Sequence, residues 1–413
     1  MESFKTILKK YNQDDLLKTI ENCSEKNKAK IISQIKEIDF DKIDKLYEIS
    51  NINYSKLDTK IIEHLSFYDK YNMDSEFEEE VSSIGNKIIK NNQYAVVTMA
   101  GGQGTRLEHN GPKGTYLLNI KPKPKYLFEI IADSLKEENE KYGITLNWYI
   151  MTSEENNKET TNFFQDNNYF GYPKQSIKFF IQGNMPLLNE EGKLILDENY
   201  NIKTAADGNG CVFKSLKDSG MIDDMKAKKI KWVFIGAVDN AILNMVDPVL
   251  LGLTVYKKNE VASKSIVKAN PYEKVGIFCK KDGKPSVIEY SEMPLELAEM
   301  KDEDGELLYG ESHIMCNLFS IKALEKIAKQ NLPYHSAHKK AKYLDVNGNV
   351  VEPSVPNVYK YEAFIFDGFR YFDNITILRG KREEDFAPIK NKHGVDSPET
   401  AVKLYNNRYF GRI

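Results

Sequence analysis

Through the first 90 residues, apolar side chains recur at helical spacing and polar ones fill the gaps. Phe4, Ile7 and Leu8 share one face and Ile31, Ile32 and Ile35 another, with Lys and Glu between them. Asp14 and Asp15 stand where they can cap a helix entering at Leu16. At Tyr94 the period changes. Tyr94 to Thr98 is β-branched or aromatic except for Ala95, the pattern of a buried strand. Helical and strand patterns then alternate: helix at about 126–138, strand at 146–151, helix near 155–164, strand at 177–181. A helix over 212–217 and a buried strand over 231–237 follow a polar loop. Strands separated by helical stretches imply βαβ units, hence an α/β fold with a mostly parallel sheet. Between Val261 and Ser320 the pattern is strand-rich, at 265–268, 275–279, 286–290 and 314–319. A last helix starts after Ser397 with Pro398 in its first turn. These shifts divide the chain into a helical region (1–90), a core (91–350) and a small C-terminal domain (351–413).

Composition narrows the function classes. A formal net charge of −3 argues against a dedicated binder of nucleic acid or anionic membrane. The four cysteines lie far apart with no C-x-x-C pair, which fits free thiols in a reducing compartment. No apolar run approaches the ~20 residues of a membrane span, and no signal peptide is visible. A soluble cytoplasmic protein is expected.

The chemistry concentrates after the first buried strand. Gly101, Gly102 and Gly104 occupy three of four positions, and such a turn lets consecutive N–H groups form an anion-binding concavity. Arg106 and Lys113 add a fork and a point charge within the same loop. The string has neither G-x-x-x-x-G-K-[ST] nor G-x-G-x-x-G spacing. It reads as a polyphosphate site of another kind. Gly208 and Gly210 flank Asn209 in a loop that can press its backbone against a flat ligand. Asp239 follows a strand end, placed either to recruit a divalent metal or to cap a following helix. Glu289 closes another strand and can accept sugar hydroxyls. No Ser/His/Asp or Cys/His constellation appears, and the six histidines are scattered.

Taken with their order, these blocks resemble the eukaryotic-type UDP-sugar pyrophosphorylases, most of all the UDP-N-acetylhexosamine pyrophosphorylase branch. The matching strings are GGQGTRL (101–107), GPKG (111–114), IMTS (150–153), IQG (181–183), DGNG (207–210), VDN (238–240), EYSE (289–292), FIFD (364–367) and REEDFAPIKN (382–391). The resemblance implies a Rossmann-like, GT-A-like nucleotidyltransferase core. It implies a uridine site at Gly101, Gly102, Gln182, Gly208 and Asn209, and triphosphate contacts at Arg106 and Lys113. Asp239 would hold Mg²⁺ or Mn²⁺; Gly276, Glu289, Phe364 and Phe366 would line a sugar pocket; Lys360 and Lys390 would reach phosphate. The implied reaction converts UTP and a sugar 1-phosphate into a UDP-sugar and pyrophosphate. Positioning and charge neutralisation carry such chemistry without a catalytic base.

The chain also departs from that pattern. Cys211 replaces the glycine after DGNG, and the stretch after GPKG is lysine-rich. His313 stands where the family supplies an asparagine to the N-acetyl sugar, bringing a group that titrates near neutral pH. Ser312 and Asn317 are alternative donors of that contact. The sugar therefore stays open between an N-acetylhexosamine and glucose or a broad range. A non-catalytic nucleotide-sugar-binding protein is the third reading, opposed by retention of Arg106, Lys113, Asp239, Lys360 and Lys390.

Overall fold

The computed structural model describes residues 4–50 and 62–411, so the 51–61 part of the expected N-terminal helical region lies outside the described residues. The chain forms two compact units. The larger comprises Ser55–Gln182, Val212–Asn331 and Ile365–Ile413; the smaller comprises Met1–Tyr54, Gly183–Cys211 and Leu332–Phe364.

In the larger unit, Tyr94–Met99 lies buried along its whole length, between the parallel strands Asn147–Thr152 and Trp232–Ala237. Ile177–Ile181 extends this parallel set beyond Asn147–Thr152. Strands covered on both faces need near-continuous apolar sequence, which is why these runs were readable. The carboxyl ends of all four strands share one edge, and Ala100, Ser153, Gln182 and Val238 follow directly. On the other flank, Glu311–Ser320 runs antiparallel to both Trp232–Ala237 and Val261–Val267. Its first residues therefore reach the edge where the parallel strands end. Val261–Val267 then pairs in parallel with Thr376–Arg379, and that strand in parallel with Tyr68–Asp69, so this path through a mixed sheet is mostly parallel.

The strand expected at 265–268 begins earlier, at Val261. The reason is Lys264, which hydropathy assigns to a surface but which is 2% exposed in mid-strand. Its Nζ lies 2.7 Å from both Asp247 and Asp385. Asp247 meanwhile caps the helix Pro248–Tyr256, accepting from the N–H groups of Val249 and Leu250.

The smaller unit joins four N-terminal helices, Phe4–Lys10, Asp14–Asn22, Glu25–Ile35 and Phe40–Ser50, with short strands from two later segments. Leu8, Ile20, Ile31 and Ile43 share a core with Leu188, Leu196 and Tyr361. Asp14 and Asp15 are not caps: both fall in the first turn, where their charge still favours the positive helix end. The cap position is Gln13, buried, with its amide turned to the backbone of Gly192 and Leu194. Among the described residues no helix is long and apolar enough to cross a membrane.

Candidate active site

In the larger unit the glycine turn leaves the strand Tyr94–Met99 and folds back on itself. The Gly104 N–H donates to Gly111 O at 3.0 Å, and the Lys113 N–H to Gly102 O at 3.0 Å. Asn156, fully buried beyond the neighbouring strand, clamps the turn by donating its Nδ2 to Ala100 O at 3.0 Å. The sequence offered no sign of that residue beyond its place after IMTS.

Gly101 is a matter of space. A Cβ there would lie 2.7 Å from Oε1 of Gln182, so the amide stands directly over the turn's backbone. Gln182 is fixed from below, its N–H donating to Thr152 O at 2.8 Å. The arrangement brings Gly101 and Gln182 together. Gly102 is exposed beside them.

Lys113 swings toward the next strand end, where its Nζ meets Asp239 Oδ2 at 2.7 Å. Both side chains keep partial solvent access, 16% and 25%. The next helix after Asp239 starts only at Pro248 and is capped by Asp247, so the capping alternative fails. Asp239 is instead held through its backbone: its carbonyl accepts from Ile389 N–H at 2.9 Å. Asn240 finishes the join, donating Nδ2 to Asp385 O at 2.7 Å and accepting from Ala387 N–H at 2.9 Å. That stitching sets Lys390, one residue beyond, near the carboxylate's strand end. Lys390 Nζ pairs with Asp396 at 3.2 Å. Asn240 is a second positioning residue that sequence reasoning passed over. Arg106 is different: it is exposed in a short 3₁₀ turn and meets no ion-pair partner among the described residues.

A second cluster gathers Gly276, Glu289, His313 and Phe366. The His313 N–H donates to Gly276 O at 2.9 Å, and a Cβ on Gly276 would sit 3.4 Å from Glu289 Oε1. The His313 ring meets Phe366 edge-on at 5.6 Å, with Phe278 at 5.4 Å and Phe369 at 5.9 Å also edge-on. His313 Nε2 lies 2.9 Å from Asn317 Oδ1. Burial lowers its pKa to about 4. Titration near neutral pH is thus overturned: the ring is neutral there. Ser312 points elsewhere along the alternating strand and is fully buried.

In the smaller unit Gly208 takes φ +93°, a left-handed value, and any Cβ would strike Ala363 O at 2.3 Å. Glycine is required there. Asn209 opens a 3₁₀ turn beside it. Lys360 lies on the strand Val358–Glu362 with its Nζ 2.9 Å from Glu362. Phe364 packs its ring against His335 at 4.8 Å. Cys211 is buried, its thiol 3.3 Å from Asp207 O and pushed well above the ordinary thiol range by burial. It is an inert filler where the family has glycine. All four cysteines are free.

Comparison with known proteins adds identity to this geometry. A family profile described as UTP–glucose-1-phosphate uridylyltransferase matches residues 25–396. A Dictyostelium discoideum protein named "Probable UDP-N-acetylglucosamine pyrophosphorylase" is 34% identical over 418 residues, covering 96% of this chain and 85% of its own. The UDP-N-acetylglucosamine pyrophosphorylase of Saccharomyces cerevisiae is 35% identical over 417 residues, with coverage of 96% and 85%. Among solved structures, the uridine diphosphate N-acetylglucosamine pyrophosphorylase of Trypanosoma brucei superposes with a TM-score of 0.81 at 28% identity, over 98% of this chain and 84% of that one. With the profile spanning most of its length and relatives above 30% identity along nearly all of it, the chain belongs to the UTP–glucose-1-phosphate uridylyltransferase family of UDP-sugar pyrophosphorylases.

Proposed function

We propose that the protein is a uridylyltransferase that joins UTP and N-acetylglucosamine 1-phosphate into UDP-N-acetylglucosamine and pyrophosphate. The observation that carries this reading is the pairing of Lys113 with Asp239 at the carboxyl edge of the parallel strands, beside the glycine turn. Ligands in such sheets bind beyond that edge. A phosphate oxygen of the sugar 1-phosphate attacks the α-phosphorus of UTP in line; a new P–O bond forms as the bond to the bridging oxygen breaks. The displaced β- and γ-phosphates leave as pyrophosphate, and no proton transfer from a side chain is needed. Gly101 and Gly102 supply backbone donors, Arg106 and Lys113 neutralise the leaving pyrophosphate, and Lys390 faces the attacking phosphate. In the smaller unit, Gly208 and Asn209 are assigned to the nucleotide, Phe364 to the sugar and Lys360 to phosphate. A GT-A-like, Rossmann-like core and a cytoplasmic location go with this assignment.

Asp239 fits Mg²⁺ or Mn²⁺ in one particular way. Among the described residues no three His, Cys, Asp or Glu side chains converge to hold an ion. A single carboxylate whose other ligands are phosphate oxygens and water matches how Mg²⁺ is commonly bound. When bound, such an ion draws charge from the phosphates. Asp239→Asn keeps the shape and removes the charge, so turnover should fall and half-saturation by Mg²⁺ should move to higher concentration. A titration curve that stays where it was would leave Asp239 only as the counter-ion of Lys113.

Gln182 is assigned to the uracil, because a primary amide donates and accepts at once and so matches the imide edge of that base. Gln182→Ala should weaken UTP binding by ~1–3 kcal/mol by leaving a nucleobase group unpaired. Calorimetry with UTP and CTP decides it: equal losses for both nucleotides contradict base reading. The whole assignment is tested by pyrophosphate release from UTP with a panel of sugar 1-phosphates. A second reading, with glucose 1-phosphate or a broad range as acceptor, is favoured by His313 in the sugar cluster. Its signature is faster turnover of glucose 1-phosphate in the same panel.

A further inference from the structure

The strand Glu311–Ser320 contains a break in its ladder. Ser265 faces His313 and Ser263 faces Asn317, so two steps on one strand span four on the other. The extra residues form a bulge around Met315, whose φ of 58° is left-handed. A non-glycine residue costs about 1 kcal/mol or more there and persists only where its surroundings demand it. The consequence is specific. In a regular strand, side chains four residues apart lie too far apart to bond; here His313 Nε2 and the Asn317 amide are 2.9 Å apart.

Counting hydrogens fixes the direction of that bond. Ser263 Oγ has one proton and lies 3.0 Å from Cys316 O and 2.9 Å from the Asn317 amide. With the amide oxygen facing Ser263 and His313, the fully buried Asn317 Nδ2 meets no acceptor among the described residues, leaving two N–H groups unpaired. A half-turn of the amide exchanges nitrogen and oxygen without changing its shape. Ser263 then donates to Cys316 O, and Nδ2 donates one hydrogen to Ser263 Oγ and the other to His313 Nε2. Only one carbonyl oxygen is left over, the smaller cost. A neutral ring that accepts at Nε2 must carry its proton on Nδ1. Burial keeps the ring neutral near pH 7, and edge-on contacts with Phe278, Phe366 and Phe369 fix its plane.

We propose that Asn317, brought to His313 by the bulge at Met315, is a positioning residue that locks the ring as an Nδ1–H donor, so that the sugar cluster selects 1-phosphates whose C2 substituent accepts a hydrogen bond. An acetamido carbonyl or a hydroxyl qualifies. A 2-ammonium group, a donor only, is turned away. The selection rests on the assignment of Gly276, Glu289, His313 and Phe366 to the sugar. The state of the ring does not.

Two measurements separate these layers. Nitrogen-15 NMR of histidine-labelled protein at pH 7, with His313 identified by the signal missing from His313→Asn, reads the tautomer directly. The expected result is a protonated Nδ1 and an unprotonated Nε2; the opposite pattern overturns the proposal whatever the substrate is. Asn317→Leu removes the amide donor while keeping the bulk. Its kcat/KM ratio for glucosamine 1-phosphate over N-acetylglucosamine 1-phosphate is expected to rise at least tenfold. A structural lesion alone slows both sugars alike, and that outcome overturns the selective role. Wild-type protein that turns over no sugar 1-phosphate overturns the assigned reaction, and the selection with it, while the NMR result still stands or falls by itself.

Discussion

Lys113→Ala is expected to lower turnover by about 10²–10³-fold, the usual cost of removing one contact to charge that develops in the transition state. Stability should change little. The Lys113–Asp239 pair retains solvent access on both sides, and partly exposed pairs contribute roughly 0–1 kcal/mol. The same substitution strips Asp239 of its cation at 2.7 Å. Two opposing effects follow and can be measured separately. The bare carboxylate should bind Mn²⁺ more tightly in the absence of nucleotide, because the metal no longer displaces an ammonium group. Triphosphate binding should weaken, because a phosphate contact is gone. Steady-state pyrophosphate release, a urea melt and a Mn²⁺ titration on one preparation distinguish these. Activity within twofold of wild type would sink the assignment of Lys113 to the triphosphate.

How far this was readable in the sequence depends on what each residue does. The parallel strands were legible because burial on both faces leaves an uninterrupted apolar run, as in Tyr94–Met99 and Trp232–Ala237. The glycine turn was legible because close approach favours glycine at Gly101 and Gly104, where a Cβ would lie 2.7 Å from the side chains of Gln182 and His109. Asn156 and Asn240 were not. Each acts by bonding carbonyls or N–H groups brought near only by the fold, and a lone asparagine looks like any turn residue until those partners are in place. The bulge at Met315 was hidden for a related reason: its left-handed residue is not glycine, so local chemistry does not announce it. Nor does any composition shift mark that Gly183–Cys211 and Leu332–Phe364 join the N-terminal helices in one unit. That grouping comes from a core assembled across long sequence separations, such as Leu8 with Tyr361. His313 shows the limit from the other side. Its type suggested a neutral-pH switch, and only burial decides otherwise.

The largest expected effect on stability belongs to Lys264, the charge that broke the strand pattern. Its ammonium group is buried between Asp247 and Asp385 at 2.7 Å each, which ties a central strand to a helix cap and to the segment that carries Lys390. Burial pulls the Lys264 pKa down, but the two carboxylates outweigh it and hold the group well above the ordinary lysine range. Burial likewise pushes Asp247 up, and Lys264, then Lys70, bring it down to about 2. Against an unfolded value of about 3.9, the Asp247 contribution is complete above that pH and is lost as pH falls toward 2. The lysine's contribution is complete below its unfolded value of about 10.4 and fades only above it. Lys264→Met keeps the stem and removes the charge, leaving two buried carboxylates with no cation between them. Removing one partner from a buried ionic cluster costs about 3–5 kcal/mol. In the variant, the burial that pushes Asp247 up is no longer offset by Lys264, so the sign of its linkage reverses and acid should relieve the deficit. Urea unfolding of both proteins at pH 7.5 and pH 5 is the check. The gap between them should be several kcal/mol at pH 7.5 and narrower at pH 5. A gap below about 1 kcal/mol at pH 7.5, or one indifferent to pH, would mean that packing around the aliphatic stem of Lys264, and not its charge, holds these three elements together.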